Sequence, residues 1–254
     1  SSSICHHIEA FCNDLHKQTW GRGMTVVGGY TITYARNEIE KPISAAVYIA
    51  SESSYNTDEW YDIVIAENVI RDAVWANGDS DPETSASHPA IMLYGRTDFP
   101  GCDAIINNNR LYIAYNRGVV IGSQTYDIIL KDNYFQGITS TGIYANGTTD
   151  AQILDNTFNE IGSYAMFIDN ACQGNMLIAG NQLTNINANN TTTYIDVINV
   201  RSNSALATIE ISNNNYDNPA GYIMERYIEN HLPAAQSTLI NNTTSTSEPI
   251  WQAP

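Results

Sequence analysis

The chain has 254 residues, and its 11 Lys and Arg against 27 Asp and Glu give a formal net charge of −16 at pH 7. That charge repels a phosphate backbone, so the composition excludes a basic, nucleic-acid-binding protein. Only 15% of the residues are charged, whereas 29 Asn, 16 Tyr and 16 Gly favour strands and turns over helices. An α-helical bundle is therefore excluded as well.

The sequence carries no signal for insertion into a membrane. No apolar run approaches the roughly 18 residues that a membrane span needs. The first ten residues, SSSICHHIEA, lack the basic and apolar regions of a secretion signal. We therefore expect no membrane insertion, and we interpret the sequence as a piece of a longer soluble protein.

A repeat built on Asn organises the chain. The first segment, ICHHIEAF followed by RGMTVVGG, is irregular and has Glu9 where later repeats carry Asn. From there an Asn follows each short apolar strand, and the shortest gaps define a basal unit of about 24 residues. The members of this series are Asn37, Asn68, Asn109, Asn133, Asn156, Asn181 and Asn215.

Apolar columns repeat together with the Asn. One column lies three residues before it: Tyr34, Ile65, Ile106, Leu130, Ile153 and Ile178. Another lies two residues after it: Ile39, Ile70, Leu111, Phe135, Phe158 and Leu183. A further strand begins nine residues after the Asn in four repeats, at Ala46, Gly118, Gly142 and Ala165. Two or three strands of period two per repeat predict one coil of a parallel β-helix.

These stacked Asn and apolar columns resemble the right-handed parallel β-helix proteins of the pectate-lyase-like superfamily, from about Ser3 to Asn218. The resemblance implies an all-β, single-stranded right-handed solenoid of about seven or eight rungs, in which each Asn amide bonds to its copy roughly 4.8 Å away. The NTD, GHG and RIK motifs of polygalacturonases, the RxPxxR stretch of pectate lyases and the DPHE string of alginate epimerases are absent.

Three insertions in the early rungs predict a groove. Residues 51–61, 72–89 and 96–102 all border the face of the further strand, on two neighbouring rungs. They concentrate carboxylates and aromatic rings, which suit a sugar because rings stack on its apolar faces while a proton donor and a base flank the glycosidic oxygen.

Glu52 and Asp98 are the predicted catalytic pair. Rung spacing plus their offset along the strand predicts a distance between the two carboxylates within the roughly 5 to 9.5 Å that glycosidases use. An inverting mechanism is favoured over a retaining one. One of the two is the general acid, and its partner activates water. The predicted substrate-binding residues around them are Arg96, Trp60, Trp75, Tyr94, Glu59 and Asp169.

An acidic column recurs six residues before the ladder Asn, at Asp62, Asp103, Asp127 and Asp150, and Asn175 continues it. The preferred interpretation is that each Asp caps the turn before its strand. A strip of weak Ca²⁺ sites is the alternative. No other cofactor is predicted.

Two outward stripes are unusually apolar. One contains Val64, Ile105, Ile129 and Leu177, and the other contains Tyr48, Met92, Val120, Tyr144, Phe167 and Ile198. A monomer rarely exposes two such stripes, so one of them is expected to be the interface of a parallel homotrimer. The aromatic stripe continues the groove face and is an alternative saccharide surface.

The chain is divided at residue 218. Residues 1–218 are predicted to form the β-helix, and residues 219–254 to form a last strand or short helix followed by an extended tail. Phage tailspikes and capsule-degrading depolymerases are similar in architecture and composition, which implies a trimer that binds polysaccharide at a virion or extracellular surface. The predicted function is a polysaccharide-degrading glycoside hydrolase. A non-catalytic receptor-binding or structural spike and a polysaccharide lyase are the alternatives.

Overall fold

The computed structural model describes residues 5–16, 21–53, 58–74, 88–189, 195–201, 205–245 and 249–252. Within these ranges, 27 strands form three parallel sheets of nine strands each, which we call A, B and C. Sheet A contains β1 (His6–Phe11), β4 (Gly29–Ala35), β7 (Trp60–Ala66), β10 (Gly101–Asn107), β13 (Thr125–Lys131), β16 (Thr148–Leu154), β19 (Gln173–Ala179), β22 (Ala205–Ser212) and β25 (Ser237–Ile240).

Sheet B contains β2 (Asp14–His16), β5 (Glu38–Glu40), β8 (Val69–Ala73), β11 (Arg110–Ala114), β14 (Tyr134–Ile138), β17 (Thr157–Ile161), β20 (Gln182–Ile186), β23 (Asn215–Asp217) and β26 (Thr243–Thr244). Sheet C contains β3 (Met24–Val27), β6 (Val47–Ala50), β9 (Pro89–Tyr94), β12 (Arg117–Ile121), β15 (Ile143–Ala145), β18 (Met166–Ile168), β21 (Asp196–Val200), β24 (Arg226–Asn230) and β27 (Ile250–Gln252). No helix in the described ranges combines the length and the apolarity of a membrane span.

The chain passes through sheets A, B and C in turn, so each strand pairs with the strands three positions before and after it. This is a right-handed parallel β-helix, as predicted. The described residues complete nine coils, because the irregular first segment and the last segment each contribute one.

The segment predicted as an extended tail forms most of the last coil. β24 is a strand paired with β21, and β25, β26 and β27 pair with β22, β23 and β24. Asn242 and Leu239 continue the polar ladder and the apolar core into this coil. The solenoid therefore runs on past residue 218.

The two predicted apolar columns form part of the core, together with inward residues of sheet C such as Ile49 and Ile91. Ile65, Ile106 and Leu130 are fully buried in sheet A. In sheet B the rings of Phe135 and Phe158 stack with centroids 4.6 Å apart. Period-two alternation sends every second side chain inward, and the parallel register places like residues on one another.

The Asn ladder lies at the turn from sheet A to sheet B. Each Oδ1 accepts the backbone N–H and the Nδ2 of the Asn one coil earlier, at 2.8–3.1 Å. The described members are Asn13, Asn37, Asn68, Asn109, Asn133, Asn156, Asn181, Asn214 and Asn242.

The structure confirms the ladder from Asn37 to Asn181 and corrects its ends. The ladder begins at Asn13 instead of Glu9, and it continues through Asn214 instead of Asn215. The residue before each member has a left-handed backbone, and Asn213 takes that position with φ of 54°. Asn214 therefore points inward and Asn215 points to solvent.

Candidate functional site

The outer face of sheet C is the face on which the sequence places the groove. Its outward column consists of Tyr48, Met92, Val120, Tyr144, Phe167, Asn199 and Glu229. Ile198, predicted in this stripe, lies in the core instead, because Phe167 pairs with Asn199. Guanidinium groups cover three of the rings, with Cζ 3.5, 4.2 and 4.7 Å from the centroid: Arg22 over Tyr48, Arg117 over Tyr144 and Arg201 over Phe167.

Glu52 and Asp98 each form an ion pair with a different arginine. Glu52 follows β6, and its Oε1 accepts Nη1 of Arg22 at 3.0 Å. Asp98 lies in the turn after β9, and its Oδ2 accepts Nη2 of Arg96 at 3.0 Å. Their roles as acid and base, and the role of Arg96 in binding, stay predictions.

Trp60, predicted to bind substrate, lies in the core of the solenoid. Its indole is fully buried, and its Nε1 donates to the carbonyl oxygen of Tyr94 at 2.9 Å. The ring fills the space beside Gly101, where a Cβ would come within 2.0 Å of it. An indole that points into the core cannot stack on a sugar. Trp75 lies outside the described residues.

The other predicted binding residues lie near the surface. Tyr94 is half-buried against the small cluster around Tyr48, and Glu59 is exposed just before β7. Asp169 accepts the hydroxyl of Tyr144 at 2.5 Å. Burial and then this hydrogen bond raise the pKa of Tyr144 to about 12. Contact of these residues with a glycan stays a prediction.

A second group of polar residues occupies the opposite end of the same face. There β18, β21, β24 and the adjoining turns surround a cavity of about 390 Å³, a volume typical of small-molecule sites. It is lined by Tyr164, Phe167, Asp196, Asn199, Arg201, Glu225, Arg226, Glu229 and His231. None of these residues belongs to the predicted site. Parallel register aligns Asp196 with Arg226 and Asn199 with Glu229.

Asp196 and Glu229 form a carboxyl pair at the base of this cavity. Asp196 is 2% exposed, and Asn199 Nδ2 donates to its Oδ2 at 2.8 Å and to Glu229 Oε2 at 2.6 Å. Burial, and then the hydrogen bond with Glu229, raise the pKa of Asp196 to about 7. Burial alone would raise the pKa of Glu229 too, but the hydrogen bond from Asp196 and the cations Arg226 and His231 lower it. The pair therefore holds one proton near neutral pH.

Arg226 connects this pair to a third carboxylate. Its Nη1 donates to Glu229, and its Nη2 donates to Glu225 at 2.7 Å. His231 Nε2 lies 2.9 Å from Glu229 as well. One guanidinium and two hydrogen bonds set the distance between the Glu225 and Glu229 carboxylates at roughly 5–7 Å. The cavity thus combines a protonated acid, an ionised carboxylate and cations.

A sequence signal for this site does exist. Asp196, Asn199 and Arg201 occupy the spacing DxxNxR, and Arg226, Glu229 and His231 repeat it one coil later as RxxExH. Two polar triplets of equal spacing indicate that parallel pairing of the two strands aligns their polar residues one above the other. The alignment is hard to see in the sequence because 30 residues separate the two triplets.

A longer groove of about 970 Å³ lies on the outer face of sheet A. The predicted acidic column forms one edge of it, and the predicted apolar stripe with Ile105 and Ile129 forms its floor. The four Asp residues of the column all have φ between 53° and 56°, a conformation that Asp tolerates better than most residues. Burial and then the charges of Asp103 and Asp150 raise the pKa of Asp127. The described residues include no group of three or more His, Cys, Asp or Glu able to hold a metal ion.

Comparisons with known proteins reveal similarity at the level of fold. No protein-family model matches the chain, and no curated protein matches its sequence. The A-module of a mannuronan C-5 epimerase from Azotobacter vinelandii is similar in structure, with a TM-score of 0.56 at 13% identity. That similarity covers 88% of this chain and 62% of the epimerase module, so this chain spans less than two thirds of the module.

Two structures of PfbA, a surface adhesin of Streptococcus pneumoniae, are similar as well. Their TM-scores are 0.48 and 0.46 at 12% and 10% identity. The similarity covers 86% and 99% of this chain, and 60% and 82% of the adhesin chains. At 13% identity, the similarity to the epimerase module concerns the fold of this chain alone.

Proposed function

We propose that this protein is a glycoside hydrolase that degrades polysaccharide, a depolymerase of the tailspike type, and that it holds its glycan along the outer face of sheet C. The observation that carries the proposal is the pairing of buried Asp196 with Glu229 beside a third carboxylate, Glu225. Proton donation to a glycosidic oxygen requires a carboxyl group that stays protonated near neutral pH.

The roles follow from exposure and distance. Both residues line the cavity, but Asp196 is enclosed whereas the Glu229 side chain is 15% exposed, so the shared proton reaches the leaving oxygen through Glu229. Glu225 takes the proton of the attacking water, or attacks the anomeric carbon itself. The carboxylates of Glu225 and Glu229 are roughly 5–7 Å apart. This range includes the carboxylate distance of retaining glycosidases and the shortest distance of inverting ones.

Aromatic rings extend this face away from the cavity. Phe167 and Tyr164 meet edge to face with centroids 5.1 Å apart, and the ring of Tyr144 is next to Phe167 at 5.6 Å. Because Arg117 covers Tyr144 and Arg201 covers Phe167, a linear glycan along the solenoid axis would meet guanidinium groups and ring edges on successive rungs. Arg96, Tyr94, Glu59 and Asp169 are proposed as contacts further along the same face.

The test is release of reducing ends from a panel of bacterial capsules and plant polysaccharides. Glu225→Gln and Glu229→Gln should each lower the rate at least 100-fold with the fold intact, because each removes a proton-transferring group. Glu52→Gln and Asp98→Asn are the matched controls, since they remove the carboxylates predicted at the other end of the face.

Other results would overturn the proposal. Loss of activity only in Glu52→Gln and Asp98→Asn would identify Glu52 and Asp98 as the catalytic residues. A product with an unsaturated, ultraviolet-absorbing end identifies a lyase. Tight glycan binding by the wild-type chain without any cleavage identifies a receptor-binding module.

We also propose that the protein acts as a homotrimer at an extracellular or virion surface, with sheet A at the subunit interface. The supporting observation is that arginines cover the aromatic stripe of sheet C, whereas Ile105 of the sheet A stripe stays 37% exposed. An exposed apolar stripe is stabilised when other subunits cover it.

A further inference from the structure

Two buried oxygen atoms at the base of the sheet C cavity lack a hydrogen-bond partner. They are Oδ1 of Asp196 and Oδ1 of Asn199. The two residues are 2% and 6% exposed and both line the cavity. A buried acceptor without a donor destabilises a protein by about 1–3 kcal/mol, so two of them in one cavity point to a ligand that donates.

Rearrangement of the residues themselves does not supply these donors. Asn199 Nδ2 already donates to both Asp196 and Glu229. A flip of the amide would break both bonds and place the Asn199 oxygen against the ionised carboxylate of Glu229. The proton that the carboxyl pair holds serves the hydrogen bond between Asp196 and Glu229, so a donor to the two Oδ1 atoms has to come from outside the protein.

The charges around the two oxygens select a neutral donor. Arg201 and Arg226 line the cavity together with Glu225 and Glu229, so the charges of its lining largely offset one another, and the described residues contain no group of three or more His, Cys, Asp or Glu able to hold a metal ion. Hydroxyl groups donate without carrying charge. The two acceptors belong to side chains that are in contact, because Asn199 Nδ2 donates to the other oxygen of Asp196 at 2.8 Å.

We propose that Asp196 Oδ1 and Asn199 Oδ1 form a subsite that accepts hydrogen bonds from two adjacent hydroxyl groups on one sugar ring. The subsite rests on the proposed function, and it defines the substrate class as a glycan whose bound residue has a free vicinal diol. Both oxygens are enclosed by protein atoms, so the diol reaches them after a side-chain shift of the kind that binding commonly produces.

This subsite discriminates between linkages. Hexopyranose residues in (1→4)- or (1→6)-linked chains keep hydroxyls on neighbouring carbons 2 and 3. Residues within a (1→3)-linked chain have no two neighbouring free hydroxyls. Periodate cleaves the bond between the carbons of a vicinal diol, so it destroys the recognised group only in the first class.

The experiment measures binding to neutral glucans, galactans and mannans of (1→3), (1→4) and (1→6) linkage, before and after periodate oxidation and borohydride reduction. Glu225→Gln serves as the cleavage-deficient form. Glycans with vicinal diols should bind at least tenfold more tightly than (1→3)-linked ones, and oxidation should abolish that difference. Asn199→Leu should reduce the preference to about twofold, and Asn215→Ala, a remote exposed Asn, should leave it unchanged.

Three results would overturn the subsite. Equal affinity for (1→3)-linked and diol-bearing chains is one, and absence of binding to every member of the panel is another. The third is Ca²⁺ binding that disappears in Asp196→Asn, because it would make the cavity a cation site. Binding is measured without cleavage, so the two proposals fail separately. A protein that prefers glycans with vicinal diols but cleaves none contradicts only the proposed hydrolysis. A protein that cleaves glycans without this preference contradicts only the subsite.

Discussion

Asp196 and Glu229 lie in one cavity, yet burial and neighbouring charges shift their pKa values in opposite directions. Asp196 is enclosed and faces a carboxylate, so it keeps its proton to about pH 7. Glu229 contacts Arg226 and His231, which stabilise its negative charge. Two neighbouring carboxyl groups whose pKa values are shifted in opposite directions are the usual basis of acid catalysis near neutral pH.

The rate of glycan cleavage should fall as the pH rises through about 7, because the general acid loses its proton. The hydrogen bond from Asn199 lowers the pKa of Asp196, so Asn199→Leu should move this basic limb to higher pH. The pH profile of kcat/KM measures the shift, and Asn215→Ala provides the control. An unmoved limb in Asn199→Leu would contradict Asp196 as the residue that holds the shared proton.

Protein stability should depend on the protonation of Asp196 as well. Its folded pKa is raised, so the folded state holds the proton more tightly than the unfolded chain between about pH 4 and pH 7. The resulting stabilisation is complete below about pH 4 and is lost as the pH rises through about 7. Asp196→Asn should therefore flatten the decline of the melting temperature between pH 5 and pH 8. The lowered pKa of Glu229 acts in a more acidic range.

Asn214 and Asn215 are adjacent residues with opposite environments. Asn214 is fully buried in the ladder, and its Oδ1 accepts the backbone N–H of Asn181 at 3.0 Å. Asn214→Ala leaves that N–H buried without a partner and should lower the free energy of unfolding by about 2–4 kcal/mol. Asn215→Ala should cost less than about 1 kcal/mol. Chemical denaturation compares the two, and equal losses would contradict the ladder register.

At the scale of the element, fixed left-handed positions shape each strand. One column lies within the sheet A strands at Thr31, Asp62, Asp103, Asp127 and Asp150. Another follows the outward residues of sheet B at Lys41, Asp72, Ile113, Gly137, Glu160 and Asn185. Most of these residue types tolerate positive φ or lie in a flexible, exposed position. Ile113 does not, because a β-branched side chain is strained at φ of 57°.

Ile113→Gly should therefore stabilise the protein by about 0.5–1 kcal/mol, because Gly adopts the left-handed conformation without strain. Ile113 is 45% exposed, so little burial is lost. Ile105 is the matched control, since it is 37% exposed but lies at a regular strand position. Ile105→Gly should destabilise by about 1 kcal/mol. Thermal unfolding measures the change in stability of the two variants. A change of the same sign in both would contradict strain at Ile113.

At the scale of the whole molecule, the exposed apolar stripe of sheet A is the proposed subunit interface. In the proposed trimer, Ile129→Asp places a charge at the subunit interface and should convert the protein to monomers. Ile113→Asp adds the same charge on sheet B and should leave the trimer intact. Sedimentation measures both masses, and a wild-type protein that sediments as a monomer would contradict the trimer.

The repeat in the sequence determined the solenoid, the apolar columns and most of the ladder. This was possible because period-two alternation and an Asn every coil are local patterns that parallel stacking copies from rung to rung. The same pattern did not determine the end of the Asn ladder, because Asn213, Asn214 and Asn215 are three identical residues in a row. Only the left-handed backbone of Asn213 makes Asn214 the buried member.

The tertiary structure alone decided which polar residues meet. Trp60 looked like a groove residue until the coil placed its indole beside Gly101 in the core. Asp196 and Glu229 come together because β21 and β24 stack in register although 30 residues separate their aligned positions. The number of residues in a coil varies with each insertion. Which residues stack in neighbouring coils therefore depends on the pairing of whole strands, and no short stretch of sequence encodes that pairing.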